Sequence, residues 1–243
     1  MRVALVSDVH GNLTALEAVI ADLDRRGVDL VIQGGDLALM GPRPAEVIDR
    51  VRELGWPGVV GNTDEALWRP DEHERLVQQA PATAPLVDLV FNTYAPDARE
   101  RLGDERIRWL QTLPAEYRSD DLAVVHAAPG NLWRAPMPDA SDEDLLGAYS
   151  SLGARRVGYG HIHRPFTRTV DAVTVSNAGS VGLPWDGDPR AAYLLIDDGV
   201  PATIRVEYDV EAEARALHAA GHPDADRLAE MRRSGNFIPP ASA

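Results

Sequence analysis

The stretch MRVALVSDVHGNLTALEAVIADLDRRGVDLVIQGGD, residues 1–36, decides the fold. Residues 3–6 form a short apolar run of strand length. Leu13, Leu16, Ile20 and Leu23 then recur at helical spacing, and Gly27 stands where a helix ends in a left-handed residue. Residues 29–33 make the next strand. The unit repeats: Val47, Ile48, Val51 and Leu54 form a second helical stripe closed by Gly55, ahead of a third strand at 58–60. This βαβαβ order predicts parallel strands joined by right-handed crossovers, an α/β fold.

Farther along, residues 64–118 become mostly helical and polar, with Trp109 and Leu110 the clearest core candidates, and read as a helical insertion over the site. Strands resume at 122–125, 156–159, 166–170, 173–176, 192–196 and 203–206. Asp171-Ala172 and Asp197-Asp198-Gly199 mark turns, so this half is richer in hairpins. Two helices at about 209–234 follow, broken near Gly221 and Pro223, and the tail FIPPASA (237–243) is expected to fray. No repeat divides the chain, and 1–243 reads as a single domain.

Composition narrows the chemistry. The 243 residues contain no cysteine and no lysine, which removes disulfides, thiolate nucleophiles, Cys-ligated metals, Schiff bases and the P-loop lysine. The net charge of -14 disfavours a nucleic-acid partner, whose phosphates need clustered positive charge. The opening residues reach Asp8 after too few apolar positions for a signal peptide, and no apolar run is long enough for a membrane span. The expectation is a cytoplasmic protein with no membrane partner. A homo-oligomer is left open.

The informative residues stand after the strands. Asp8 follows the first, with His10 two residues on; Asp36 follows the second and Asn62 the third. His126 comes after 122–125, and His161 after 156–159, with His163 two residues on. Alone, Asp8 or Asp36 would be a helix cap or turn residue, and a lone histidine a satisfied core group. Four of the seven histidines nevertheless share this placement; only His73, His218 and His222 lie in helical or loop context. Open α/β sheets present functional groups beyond the carboxyl ends of their strands, so seven N/O donors are expected at one rim. Asp-x-His and His-x-His would place alternate side chains on one side of an extended backbone. Such a mixed set suits Mn, Fe, Co, Ni or Zn better than Ca, and seven ligands exceed what one tetrahedral zinc can use. Two metals sharing a carboxylate fit the count.

Together SDVHGN (7–12), GGD (34–36), GNTD (61–64), VVHA (124–127) and GHIH (160–163) resemble the calcineurin-like metallophosphoesterase superfamily, in its small prokaryotic phosphodiesterase branch. The resemblance runs over residues 1–208 and includes NAGSVGLPWDGDPRAAY (177–193). It implies a four-layer αββα sandwich of two mixed sheets flanked by helices, with two divalent metal ions at one sheet rim. Asp8, His10, Asp36 and His163 would hold the first metal, and Asp36, Asn62, His126 and His161 the second, with Asp36 bridging. Manganese is the implied ion, with Fe, Zn, Ni or Co as alternatives. The implied function is a dinuclear metal-dependent phosphoesterase, here read as a phosphodiesterase, in which a metal-bridging hydroxide attacks the phosphorus of a small or nucleotide-like substrate. Asp36, Asn62 and His126 would be its catalytic core. Two cations, two carboxylates and one hydroxide leave about +1 to receive an anionic ester.

Thr63 departs from the family pattern, since many relatives carry histidine there to assist the leaving group. A threonine hydroxyl can hydrogen-bond a phosphate but is a poor acid, which favours phosphodiesters or activated esters. Asn12 is a second candidate substrate contact, with an N-cap as its competing role. Arg43 and Arg164 could meet an anion, and Trp133 and Trp185 could stack on a base, although solvated arginines and packed tryptophans are commoner. His218 and His222 read as a helix end, and Arg232-Arg233 as surface charge. A dinucleoside polyphosphate hydrolase is the nearest alternative. A non-catalytic scaffold is the alternative outside enzymes. A protein phosphatase is disfavoured, because GGDLALMGPRP lacks the expected Asp-Arg-Gly continuation.

Overall fold

The computed structural model describes residues 1–240. One sheet contains β1 (Arg2–Val6), β2 (Leu30–Gln33), β8 (Ala191–Asp197) and β9 (Val200–Val206), in the order β2-β1-β8-β9. The other contains β3 (Glu116–Arg118), β4 (Leu122–Val125), β5 (Arg156–Tyr159), β6 (Phe166–Val170) and β7 (Val173–Asn177), in the order β3-β4-β5-β7-β6. Both sheets are mixed: β1–β2, β4–β5 and β5–β7 pair in parallel, and the remaining neighbours antiparallel.

Strand alternation builds the layers. In β1, Val3 and Leu5 point between the sheets, where they meet Ile32, Val124 and Leu194, while Ala4 and Val6 face the helices. In β4, Leu122 and Val124 face inward, and Ala123 and Val125 pack outward with Tyr149. A strand buried on both faces needs apolar residues at every position, which is why these segments read as continuous runs. Helices α1 (Leu13–Arg26), α2 (Pro44–Leu54), α8 (Val210–Ala219) and α9 (Ala225–Ser234) cover the first sheet, and α7 (Asp142–Tyr149) covers the second. The four-layer αββα sandwich follows.

The two helical stripes at the start of the chain form as expected. Asn12 caps α1 through the Ala15 N–H at 2.9 Å, Gly27 closes it in the left-handed region, and α2 opens on Pro44 and closes at Gly55. Residues 64–118 are largely helical: α3 (Asn62–Glu65), α4 (Glu72–Gln79), α5 (Ala84–Leu89), a π turn at Val90–Tyr94 and α6 (Ala95–Leu110). Leu110 is buried there and Trp109 half-buried. Among the described residues no helix is long and apolar enough to cross a membrane.

Several expectations need correction. The strand anticipated at 58–60 is reduced to one parallel bridge between Gln33 and Gly58. Pro57 has no N–H to donate, and Val60 sends its own to the Pro114 carbonyl, so the ladder ends after one step. The helical insertion gives way to strand at β3, three residues on a sheet edge and too short to show alternation. Helix α7, capped by Ser141, was not anticipated. The tail does not fray from Phe237: this ring lies edge-on to Trp185 at 5.0 Å, and the Ile238 carbonyl accepts from Arg227. The rest of that expectation, at 241–243, lies outside the described residues. Arg232 is not surface charge but fully buried, donating to the carbonyl of Met40 at 2.8 Å; Arg233 is exposed and pairs with Glu211.

Candidate metal centre and its cavity

All seven expected donors meet at the rim formed by the carboxyl ends of β1, β2, β4 and β5. Asp8, His10, Asp36, Asn62, His126 and His163 are buried, and His161 is partly exposed. The convergence does not come from extended Asp-x-His and His-x-His segments. Asp8, His10, Asp36, His161 and His163 all lie at positive φ, between 50° and 67°. Such a conformation costs a non-glycine residue on the order of 1–3 kcal/mol, and five together mark a site held by its surroundings. The left-handed residues turn the chain back on itself just beyond each strand, aiming side chains inward that a straight continuation would carry past the sheet.

The donors form two overlapping groups. In the first, His163 Nε2 lies 3.2 Å from Asp8 Oδ1 and 3.2 Å from His10 Nε2. In the second, His126 Nε2 lies 2.8 Å from Asn62 Oδ1 and 3.5 Å from Asp36 Oδ1, and His161 Nδ1 is 2.9 Å from the same Asn62 oxygen. Donor atoms of Asp8, His10 and His163 fall within 4.8 Å of one another, as do those of Asp8, Asp36 and His126. Asp8 thus belongs to both groupings by distance. Asp36 spans them as well, since its Oδ2 lies 3.7 Å from His10 Nε2 while its Oδ1 faces His126.

Backbone carbonyls fix the imidazoles. His10, His126 and His163 each direct Nδ1 at a carbonyl, of Leu39 at 3.1 Å, Gly34 at 2.8 Å and Leu183 at 2.5 Å. Nδ1 must donate in such a contact, which leaves Nε2 as a lone pair pointing into the cluster. Facing Nε2 lone pairs of His10 and His163 repel unless a cation lies between them. The donor set therefore fits divalent metal ions.

At four of the donors, electrostatics agree with ligands held in their binding forms; His126 is the exception. Burial pushes His10 and His161 down to about 4, so both are neutral at pH 7. Burial opposes charge on Asp8, but the neighbouring His163 outweighs it and holds the carboxyl below its usual range. Asp36 is held well below that range, His126 overcoming the cost of burial. The same pair acts in reverse on His126: burial lowers it, and Asp36 prevails, pushing it up to about 9.

Glycine lets the chain pass close to the carboxylates. A Cβ at Gly61 would collide with the Asp36 carboxylate, and one at Gly160 with that of Asp8. The loop after β7 closes the first group from behind: Ser180 Oγ donates to the Asp8 carbonyl at 2.8 Å, and Gly182 N–H donates to the same oxygen at 3.0 Å.

Three roles escaped the sequence. Asp64 is fully buried, and its carboxylate accepts the N–H groups of Asp36, Leu37 and Gly61 at 2.8, 3.0 and 3.2 Å. Its signal was its place three residues after Gly61, where a capping acid sits. Arg232 reaches the Met40 carbonyl from the last turn of α9, with no local signal. Trp185 stacks on His163, with ring centroids 3.9 Å apart.

The other candidates divide. Thr63 lines the cavity beside the donors, its N–H bound to Asp36 Oδ1 at 2.9 Å and its buried hydroxyl without a partner. Asn12 does not reach the cavity; it caps α1 and donates to the Gly182 carbonyl at 3.1 Å. Arg43 is paired with the buried Glu213 at 2.5 Å. Arg164, Trp133 and Trp185 line the cavity. His218 pairs with Asp226 at the surface while His222 is buried against Tyr94, so the two share no centre.

Comparison with known proteins points the same way. Residues 1–199 match the model of the calcineurin-like phosphoesterase superfamily domain. The uncharacterized protein MJ0912 of Methanocaldococcus jannaschii is 28% identical over 236 residues, covering 86% of this chain and 88% of its own. Phosphodiesterase YfcE of Escherichia coli K12 is 27% identical over 217 residues, covering 84% and 91%. The crystal structure of a metallophosphoesterase from Sphaerobacter thermophilus superposes with a TM-score of 0.78 at 26% identity, covering 97% of this chain and all of the other. With donors suited to divalent metals gathered at one rim and a family model spanning most of its length, the chain belongs to the calcineurin-like phosphoesterase superfamily and is a hydrolase of phosphate esters.

Proposed function

We propose that this chain is a dinuclear metal-dependent phosphodiesterase, one catalytic domain whose helical segment roofs the site. The observation that carries the reading is the Nε2 pair of His10 and His163, 3.2 Å apart with both Nδ1 atoms committed to carbonyls. Asp8, His10, Asp36 and His163 would hold one ion and Asp36, Asn62, His126 and His161 the other, with manganese the first ion to test. When bound, the ions supply the positive charge that activates a water and receives the phosphoryl oxygens.

The remaining work falls to this chain's own groups. Asp36 spans both clusters and balances part of their charge. Asn62 offers one neutral oxygen between His126 and His161. Thr63 presents its free hydroxyl at the mouth of the cluster, where it can hydrogen-bond a phosphoryl oxygen. Arg164, exposed next to His163, adds a guanidinium for the same anion. The site offers no strong acid at position 63, which suits diesters with good leaving groups. A small intracellular phosphodiester, in the cytoplasm, is the substrate class this reading implies.

Metal analysis and turnover of bis-p-nitrophenyl phosphate after manganese loading test it. Two metal equivalents with hydrolysis are expected. A protein that binds no metal and stays inactive after loading with Mn, Fe, Co, Ni or Zn would refute the reading.

A further inference from the structure

The cavity that opens on the donor cluster has a volume of about 450 Å³, enough for a ligand much larger than phosphate. Away from the donors its wall is largely apolar, aliphatic side chains together with the rings of Trp133, Trp185 and Phe237. Leu76, Leu86, Val87 and Val90 come from the helical segment, and Leu228 and Met231 from α9. All but the half-exposed Leu86 are buried, so the wall is packed from behind. Two polar side chains nearby are already engaged: Gln79 Oε1 accepts from Arg75, and Thr83 Oγ1 donates to the Ala80 carbonyl.

That lining discriminates between ligands. A nucleoside could stack its base on an indole, but its ribose hydroxyls would lie against methyl and methylene groups, losing water without gaining partners. An alkyl chain loses nothing polar and removes both surfaces from water. Of the arginines in the lining, Arg227 is engaged by Asp224 and the Ile238 carbonyl and Arg134 donates to the Gln79 carbonyl, whereas Arg164, next to His163, donates to the Trp185 carbonyl and has no carboxylate partner among the described residues. The cavity thus joins a cluster of metal-ligating groups to a largely apolar wall.

Resting on the phosphodiesterase reading above, we propose that the preferred substrate is the phosphate ester of an apolar long-chain alcohol. Its phosphate sits at the donor cluster and its chain runs along the wall of Leu76, Val87, Val90 and Leu228. The helical segment of residues 72–110 is then the specificity element, since it supplies most of the aliphatic wall to a rim whose donors lie elsewhere.

The test uses a series of alkyl p-nitrophenyl phosphate diesters, from methyl through butyl to octyl, with the manganese-loaded enzyme. Calorimetric binding of ethyl and octyl phosphate runs in parallel. The expected kcat/KM rises about fourfold per added methylene until the cavity is filled, and octyl phosphate binds more tightly than ethyl phosphate. Equal values for methyl and octyl, or a p-nitrophenyl ester of thymidine 5′-phosphate outrunning the octyl ester, overturns the proposal. Leu86→Glu should collapse the octyl-to-methyl ratio toward one. Met137→Glu, at an exposed position of the same cavity, carries the same expectation and guards against a folding defect. Ratios unchanged in both variants also overturn it. Should no ester be turned over at all, the phosphodiesterase reading fails by itself, and the calorimetry alone then decides the cavity: equal affinities refute the alkyl site, and a preference for octyl phosphate upholds it.

Discussion

Asp64 Oδ2 accepts the backbone N–H of Asp36 at 2.8 Å, so one buried carboxylate holds the turn that aims another into the donor cluster. Its second oxygen takes the Leu37 N–H at 3.0 Å, and the Gly61 N–H completes the set at 3.2 Å. The turn after β2 and the start of α3 are therefore tied to a single side chain. Burial and the adjacent Asp36 charge push Asp64 up to about 7, while the backbone donors favour its ionised form.

Asp64→Ala should strand those N–H groups without partners. The expected loss is about 2–4 kcal/mol of stability, with a lower metal content at equal total metal. Asp64→Asn, which keeps one acceptor oxygen, should fall between. Thermal denaturation and metal analysis check this, and an alanine variant that melts like the parent would remove Asp64 from the account.

Asp36→Asn and His163→Ala should differ in kind. Asp36 faces both histidine groups, so its amide variant should impair both metal sites and lower kcat/KM by about 10²-fold or more. Among the donors His163 contacts only Asp8 and His10, and its loss should chiefly empty the first site. Metal stoichiometry of the two purified variants, measured side by side, decides the matter; identical losses would contradict the assignment.

Thr63→His tests the departure from the family pattern. An imidazole in place of the unpartnered hydroxyl could protonate a departing alkoxide, so the gain should appear with poor leaving groups and vanish with p-nitrophenolate. The measurement is the slope of log kcat/KM against leaving-group pKa. It should flatten in the variant, and an unchanged slope would deny position 63 any part in leaving-group departure.

His222 predicts an acid limb in stability that is separate from the metal site. Burial holds this imidazole down at about 4, against about 6.5 when unfolded. The depressed folded value means its neutral form is preferred, so the full stability is present above about pH 6.5. It is lost as pH falls towards 4, because the unfolded chain takes up the proton first. The contribution is on the order of 2–3 kcal/mol, and His222→Asn should flatten the difference between pH 7 and pH 4.5 in urea melts of the metal-loaded protein. A variant with the parent's pH slope would assign the limb to other groups.

The sequence alone determined the elements whose residues carry their own periodicity, and the identity of the donors. Helices α1 and α2 announce themselves through stripes at helical spacing and terminal glycines, and the strands buried on both faces through unbroken apolar runs. Asp8, His10, Asp36, Asn62, His126, His161 and His163 were legible because each stands just past a strand or an expected strand, a relation local in the chain. Strand β3 and the failure of the strand at 58–60 were not, since three residues show no alternation and the competing acceptor, Pro114, lies more than fifty positions away. Asp64, the burial of Arg232 and the stack of Trp185 on His163 depend on which distant backbone a side chain meets. The left-handed turns at five of the donors and the apolar wall beyond them belong to the same class. Only packing chooses those neighbours, because a carboxylate or guanidinium is stable in the interior solely where the fold brings it hydrogen-bonding partners.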